Sequence, residues 1–361
     1  MNIASILLAI GVLALCVLVH EAGHFVSALA LGIPVDEFSI GFGPKLVQFK
    51  AKGVLYSLRL ILLGGYVRFA MDESDFLSEE ERKKLNVEKE KGKKTYMDMP
   101  AWRRLISVLC GPAMNILSAF LIAIALYVVL GNPVSVPRVD SFTEGSPAQL
   151  SGMALGDTVT MVDDTPITYD LDGIETMRAC INSCDGKPLM LTVARGSESL
   201  TLTLTPEYSE ADGRYLVGVT FGSDYAPCTF SEAVTRACSY TVMIAKEMYA
   251  SLGSLFTSGQ PVTEQLSGPV GTVQIISEQV QQGTLESLNV ILLISLNFGI
   301  LNLLPIPGLD GSKALLYILE MIRRKPVPPN KEAIVNLIGL GLIFALMIFV
   351  TYGDIMKLIA R

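Results

Sequence analysis

Histidine is almost absent from this chain: only His20 and His24 occur among 361 residues, four positions apart. This scarcity excludes a metal site built from three histidines. Tryptophan occurs once, and charged residues make up 17% of the chain against 50% for hydrophobic residues. The net charge is -7, so the chain offers no broad basic face and we expect no binding to nucleic acid.

The two histidines frame the sequence HEAGH, which ends an apolar run that begins at Ile3. On a helix, residues four apart share one face, so His20 and His24 can bind one metal ion beside Glu21, a general base. Ionisable groups in a spanning segment are costly unless they are paired or bound to metal. The motif therefore predicts a zinc peptidase site inside a membrane. A helix end with polar residues at headgroup level is the plainer alternative.

Four segments are long and apolar enough to cross a bilayer: about 3–29, 105–130, 288–304 and 333–352. The first lacks a basic start and carries HEAGH where a signal peptide would be cleaved, so we expect it to be retained. Basic residues, including Arg103 and Arg104, crowd the loop between the first two segments, and others lie between the last two. By the positive-inside rule both loops are cytoplasmic, which predicts that both termini and the 131–287 region lie outside.

A second constellation reads NFGILNLLPIPGLDG over residues 297–311. Its prolines and Gly308 break the helix, and broken backbone at membrane depth is tolerated where it is buried in protein or lines a wet cavity. Asp310 falls at the depth of the histidines and is the better third ligand, because lone cysteines such as Cys16 and Cys110 usually act as small hydrophobes. A helix cap is the plainer interpretation of Asp310. Such a ligand set suits zinc, and also iron or cobalt.

The stretch 54–69, VLYSLRLILLGGYVRF, has β-branched and aromatic residues around a Gly-Gly break. It predicts a strand pair at the membrane surface. An exposed strand edge can capture an unwound substrate segment by β-augmentation, which makes Gly64, Gly65 and Tyr66 candidate substrate-binding residues. An amphipathic hairpin that only seals the base of the protein is the alternative.

From 136 to about 221, short alternating strands separated by Gly, Asp and Pro turns predict a soluble domain. Residues 146–167 resemble the signature of bacterial PDZ domains, with a helix after Ser146, a turn at Gly156 and a strand before a tight turn. Its groove either binds a peptide or only restricts access to the membrane site. The segment 230–256 has apolar residues at helical spacing interrupted by charges, and predicts an interfacial helix rather than a fifth span.

The chain resembles the bacterial site-2 protease family of intramembrane zinc metalloproteases, in its regulator-of-sigma-E protease branch, over nearly its whole length. The motifs that carry this resemblance are HEAGH, GFGP at 41–44, LGGYV at 63–67, GPAMN at 111–115, GPVG at 268–271 and NLLPIPGLDG at 302–311. The resemblance implies that His20, His24 and Asp310 bind Zn2+. It also implies that Glu21 is the general base and that Asn302 helps to hold the substrate or its reacting carbonyl.

The expected fold is a polytopic α-helical membrane protein with four transmembrane helices, a membrane-associated β-hairpin or sheet, and an inserted extracytoplasmic α/β PDZ domain. The expected parts are an N-terminal membrane core at 1–130, the PDZ domain at 131–225, an extracytoplasmic interfacial helical segment at 226–287 and a C-terminal membrane core at 288–361. The N-terminal core includes a membrane-associated β region at 35–70 and a charged cytoplasmic loop at 71–104.

The resemblance implies an endopeptidase of the bacterial cytoplasmic membrane that hydrolyses peptide bonds within transmembrane segments, for example of trimmed anti-sigma factors or remnant signal peptides. The main alternative is a catalytically silent PDZ membrane adaptor that binds transmembrane helices, although an adaptor has no need of Glu21. A metal transporter is a third, weaker alternative, because a transporter would be expected to carry more intramembrane acidic or histidine residues along its path. Ser312 and Lys313 stand where many family members have Gly-His, so the resemblance extends to the ligand set but not to the residues around the Asp310 carboxylate.

Overall fold

The computed structural model describes residues 3–72, 94–210, 213–257 and 268–359. The chain divides into two compact units. One comprises Met1–Ala125 and Val234–Arg361, and the other is Leu126–Ala233. The charged stretch within the loop predicted at 71–104 lies largely outside the described residues.

The helices of the described residues, in chain order, are α1 (Ile3–Ala30), α2 (Ala101–Leu130), α3 (Pro147–Leu150), α4 (Leu171–Ser183), α5 (Phe230–Thr257), α6 (Pro269–Gln282), α7 (Thr284–Asn302), α8 (Asp310–Arg323) and α9 (Pro329–Ile359). The strands are β1 (Val35–Ala51), β2 (Val54–Phe69), β3 (Asn132–Phe142), β4 (Thr158–Val162), β5 (Thr165–Pro166), β6 (Leu189–Arg195), β7 (Glu198–Leu204), β8 (Glu207–Ser209), β9 (Arg214–Leu216) and β10 (Val219–Ala226).

Four helices of the described residues are long and apolar enough to cross a membrane, at Ala4–Ala30, Ala101–Leu130, Thr284–Asn302 and Glu332–Met356. They correspond to the four segments expected from the sequence, with ends that differ by a few residues. The third ends earlier than predicted because the chain leaves the helix at Leu303, just before the first proline of the break.

The sheet formed by β1 and β2 has more neighbouring segments than a hairpin. Residues 37–40 of β1 pair with 55–58 of β2 on one side and with 65–68 of β2 on the other. Residues 47–50 of β1 pair with 55–58 as well. Four strand segments therefore lie in the order 47–50, 55–58, 37–40 and 65–68, which puts 65–68 at an edge.

The β region predicted at 35–70 is present, but the strand pair predicted within 54–69 was wrong in its pairing. The two halves of β2 do not pair with each other, because residues 37–40 of β1 lie between them. β2 turns at Gly64, where φ is 121°, a value that L side chains rarely adopt. β1 turns at Gly41, where φ is 87° and a Cβ atom would lie 2.8 Å from the carbonyl oxygen of Ile61.

A buried ion pair joins three of these segments. Glu37 is 1% exposed and accepts hydrogen bonds from Arg59 Nη2 at 2.9 Å and from Ser57 Oγ at 2.5 Å. Arg59 Nη2 also donates to the hydroxyl of Tyr66 at 2.6 Å. Burial alone would raise the pKa of Glu37, but these hydrogen bonds and the guanidinium charge hold it at about 2. The pair thus fixes the position of the edge segment.

The unit Leu126–Ala233 is built on a sheet with the strand order β10-β3-β4-β6-β7, and β5 pairs with β4. Ser146 caps α3, Gly156 turns the chain with φ at 85°, and β4 is followed by a tight turn at Asp163. Each element predicted around these residues is therefore present. Its apolar core includes the fully buried Met177 of α4 and Val193 of β6.

A bidentate ion pair holds the turn before β4 against the end of β6. Asp157 is fully buried, and its two carboxylate oxygens accept hydrogen bonds from Arg195 Nε and Nη2, both at 2.7 Å. Asp157 Oδ2 also accepts from the Ala154 amide at 2.8 Å. The hydrogen bonds from Arg195 lower the pKa of Asp157, against the opposing effect of burial.

The range expected as one interfacial segment, 226–287, contains α5, α6 and the first residues of α7. Ile276 of α6 is fully buried in a cluster with Ala9 and Cys16 of α1 and Val290 of α7. The amide of Gly271, in the GPVG motif, donates to the buried Asp354 of α9 at 2.8 Å. Helix α6 thus packs among the membrane-length helices.

Candidate active site

His20, His24 and Asp310 bring three potential metal ligands to one point. Asp310 Oδ2 lies 2.9 Å from His20 Nε2 and 3.0 Å from His24 Nε2, and the two Nε2 atoms are 3.2 Å apart. All three residues are buried. The helical spacing explains the two imidazoles, since positions four apart lie on one face of α1. Asp310 comes from 286 positions further along the chain.

The break between α7 and α8 delivers Asp310 to the histidines. The chain leaves α7 at Leu303, passes Gly308 with φ at 96°, and enters α8 at Asp310. A Cβ atom at Gly311 would overlap the carbonyl oxygens of Leu303 and Leu304. Only a residue without a side chain lets the start of α8 pack this closely against the end of α7.

Helix α2 supplies the surroundings of His24. The Nδ1 atom of His24 donates to the carbonyl oxygen of Ser107 at 2.8 Å, which turns Nε2 toward the cluster. Gly111 lies on the same helix, and a Cβ atom there would overlap the His24 ring. A Cβ atom at Gly23 would likewise overlap the carbonyl oxygen of Cys110, so glycines bring the two helices together.

Glu21 is half-buried beside the cluster and is held by the edge of the sheet. Its Oε2 atom accepts a hydrogen bond from the Val67 amide at 3.1 Å. A Cβ atom at Gly64 would lie 2.8 Å from the Val17 side chain of α1, so the start of this edge also runs close to α1. The sequence did not reveal the contact between Glu21 and Val67, because it joins residues 46 positions apart.

The remaining predicted site residues have other contacts. The Tyr66 hydroxyl accepts a hydrogen bond from Arg59 Nη2. A Cβ atom at Gly65 would lie 2.5 Å from the Ser39 carbonyl oxygen, so a side chain there would clash. Asn302 is half-buried at the end of α7, where its Nδ2 donates to the Phe298 carbonyl oxygen at 2.9 Å.

Two residues that closely follow Asp310 have different contacts. The Lys313 ammonium is 3.8 Å from Asp310 Oδ1, the oxygen that does not face the histidines. Ser312 is buried and donates to the Leu309 carbonyl oxygen at 2.8 Å.

Helix α8 is held by a buried arginine, Arg104, which the sequence analysis placed in the basic cytoplasmic loop. Arg104 is 2% exposed in the first turns of α2 and pairs with Glu320 of α8 at 2.5 Å. Its guanidinium also lies 4.8 Å from the centre of the Tyr317 ring, and Tyr96 and Tyr317 join through their hydroxyls at 3.1 Å. Arg104 therefore packs α2 against α8, and it is not an exposed positive charge of the loop.

Comparison with known proteins places this arrangement in a family. The model of peptidase family M50 matches residues 8–346. A Clostridium acetobutylicum protein named as a candidate zinc metalloprotease is 33% identical over 98% of this chain and 97% of its own. The regulator of sigma-W protease RasP of Bacillus subtilis is 28% identical over 94% and 95%.

A PDZ domain of an SdrC-like protein from Listeria monocytogenes covers 23% of this chain and 84% of its own, with 17% identity and a TM-score of 0.20, which is too low to assign a fold. The family match and the relative at 33% identity both extend over nearly the full length of the chain. The chain belongs to peptidase family M50 and is a zinc metalloprotease.

Proposed function

We propose that this zinc metalloprotease holds its zinc ion with His20, His24 and Asp310 and cleaves peptide bonds within transmembrane segments of membrane proteins. One observation carries the proposal: the three ligand atoms meet between α1, which is long and apolar enough to span a bilayer, and the helix that directly follows the apolar α7. A protease with its ligands on such helices has its site at the depth of a spanning substrate.

The three side chains fit a zinc ion. Their ligand atoms are separated by 2.9–3.2 Å, and the edges of a tetrahedral zinc site with bond lengths near 2.0–2.1 Å are about 3.3 Å. Two imidazole nitrogens and one carboxylate oxygen are a donor set of catalytic zinc sites that leave a fourth position open. Two Nε2 lone pairs facing one carboxylate repel one another unless a cation lies between them.

Glu21 acts as the general base in this proposal. Zinc, when bound, supplies a Lewis acid and makes a water molecule acidic enough to be deprotonated near neutral pH. The carboxylate of Glu21 takes a proton from the attacking water and passes it to the leaving amide nitrogen. The hydrogen bond from the Val67 amide holds Oε2 in place.

The edge segment 65–68 is proposed to receive the substrate as an added strand. A helical peptide bond is enclosed by its own hydrogen bonds, so cleavage requires an extended segment, and a free strand edge can hold one by main-chain hydrogen bonds. The Val67 amide points from this edge to Glu21, so an added strand passes the base. Because the Tyr66 hydroxyl is bonded to Arg59, the backbone of Gly64, Gly65 and Tyr66 would make the contacts.

Asn302 is proposed to hold the substrate or its reacting carbonyl. It lies half-buried at the last turn of α7, and the break that follows leads directly to Asp310. Its amide already donates to a main-chain carbonyl of its own helix, so a substrate carbonyl would have to compete for that donor or use its second hydrogen.

For localisation, we propose a multi-pass protein of the bacterial cytoplasmic membrane with both termini and the PDZ domain at 131–225 outside. Within the segment at 226–287, α5 would lie at the outer membrane surface, whereas α6 would lie among the membrane-length helices that it contacts. The loop at 71–104 would lie inside. Cysteines introduced at exposed Asp164 and Lys325, in a chain without its native cysteines, test this topology. We expect an impermeant thiol reagent to label the first on intact cells and the second only after lysis.

The relative from Bacillus subtilis is named a regulator of sigma-W protease, which supports membrane-bound anti-sigma factors as a substrate class here. Remnant signal peptides present the same chemistry, a single apolar helix. A peptide ligand of the PDZ domain is a further proposed partner, supported by the helix, turn and strand that follow Ser146.

The test is cleavage of a tagged single-span substrate by the purified full-length protein in detergent, with bound zinc measured. We expect Glu21→Gln to abolish cleavage and to keep about one zinc per chain, because Glu21 is not a ligand. His24→Ala should lose both. A wild-type protein that neither binds zinc nor cleaves would favour the membrane adaptor instead.

A further inference from the structure

Asn115 presents an unexplained polar side chain next to the cluster. It lies on α2 within the GPAMN motif and is fully buried. Its Oδ1 atom has no hydrogen-bond partner among the described residues. Its Nδ2 atom lies 3.5 Å from His20 Nδ1, on the side of the imidazole that faces away from the other ligands. A buried amide oxygen without a partner is unfavourable, so a role for this side chain is expected.

The comparison with His24 shows what His20 needs. A histidine that binds a metal through Nε2 carries its hydrogen on Nδ1, and an acceptor for that hydrogen fixes the ring. His24 has this acceptor in the carbonyl oxygen of Ser107, at 2.8 Å. Among the described residues, the side chain that faces Nδ1 of His20 is that of Asn115. An Nδ2 donor there would require a bare Nδ1 and leave the hydrogen on Nε2, which prevents metal binding.

A half-turn of the amide resolves the conflict. Rotation by 180° exchanges the nitrogen and oxygen of Asn115, two atoms of nearly the same size. Oδ1 then accepts the hydrogen of His20 Nδ1, and Nε2 is left free for the metal. We propose that Asn115 is the positioning residue of His20, as the Ser107 carbonyl is for His24. This inference rests on the proposed function, in which His20 is a zinc ligand.

The packing role of this position is carried by other atoms. Ser118 Oγ and Ser295 Oγ donate to the main-chain oxygen of Asn115 at 2.9 and 3.1 Å. The bond from Ser295 joins α2 to α7, the bond from Ser118 lies within α2, and neither involves the Asn115 side chain. A side-chain substitution therefore leaves them in place, while a substitution of Ser118 removes one of them and does not touch His20. Ser118→Ala is thus a matched control for packing.

The experiment measures zinc affinity of the purified full-length protein by competition with a chromophoric chelator. We expect Asn115→Leu, which keeps the volume and removes the acceptor, to weaken zinc binding about 10–100-fold. Asn115→Asp keeps an acceptor oxygen and should bind within tenfold of wild type, and Ser118→Ala should match wild type. The d–d absorption of the Co2+-loaded protein, which reports ligand geometry, should change in Asn115→Leu only. Asn115→Ala replaces Asn115→Leu if the latter does not accumulate.

Two results overturn the inference. Either Asn115→Leu binds zinc as tightly as wild type, or Asn115→Asp loses as much affinity as Asn115→Leu, which would mean that shape matters and the acceptor does not. Failure of the proposed function looks different: His20→Ala would then leave zinc binding unchanged, or the wild type would bind none.

Discussion

Replacing Gly111 by alanine adds one methyl group at the wall of the site. The new Cβ atom would overlap the His24 ring at a separation that real Cβ atoms do not reach, so the ring or the helix must move. A displacement on the order of 1 Å in a catalytic group costs about 100-fold in rate. Alanine is otherwise the better helix former by about 1 kcal/mol, so any loss comes from the clash and not from the helix.

The assay pairs zinc affinity with cleavage of a single-span substrate. Gly111→Ala should lose about 100-fold in cleavage and should also bind zinc more weakly. Gly11→Ala on α1 is the matched control, because nothing lies within 4 Å of its added Cβ atom. It should leave both quantities unchanged. If Gly111→Ala keeps wild-type zinc affinity and activity, the packing of α2 against His24 does not position the ligand, and the reasoning fails.

Two further predictions concern ion pairs away from the ligands. Asp157→Asn should destabilise the 126–233 unit by about 1–3 kcal/mol at pH 7, seen as faster hydrogen exchange in the full-length protein. Because the pKa of Asp157 is lowered in the folded state, this stabilisation is present above about pH 4 and is lost as the pH falls further. The unfolding free energies of the wild type and Asp157→Asn should therefore converge in acid. A difference that stays constant with pH contradicts this prediction. Arg104→Met should cost roughly 3 kcal/mol in detergent unfolding by leaving the half-buried Glu320 unpaired. Arg104→Met with Glu320→Leu should recover most of it, and additive losses would refute the coupling.

The sequence predicted the parts of the site that rest on local spacing. HEAGH places two imidazoles on one helical face whatever surrounds the helix, and long apolar runs identify spanning helices because a bilayer has a fixed thickness. The LPIPG sequence predicted that the third apolar helix ends before Asp310, so that Asp310 lies in a separate segment. Its meeting with the histidines was inferred from topology and depth, and the distances near 3 Å agree with that inference.

The contacts that a sequence alone could not predict are long-range and have no periodic signal. The bond from Val67 to Glu21 depends on which half of β2 lies at the sheet edge, and that order follows from two bends at glycines. The sequence gives Arg104 as one of several basic loop residues, because its partner Glu320 lies 216 positions away. Local propensity and charge rules do not encode such pairings, because tertiary packing decides them.

The sheet at 35–69 also determines where this chain tolerates a change of length. A slip of one residue in the edge segment would exchange the faces of Tyr66 and Val67. The Tyr66 hydroxyl would leave Arg59, and Val67 would leave the apolar cluster that it packs against. The turn at Lys52, by contrast, has exposed side chains and open space around Gly53. Insertions and deletions among relatives should therefore collect at this turn and be absent between the Gly64 bend and Val67, where a single added residue would misalign the strand with Glu21.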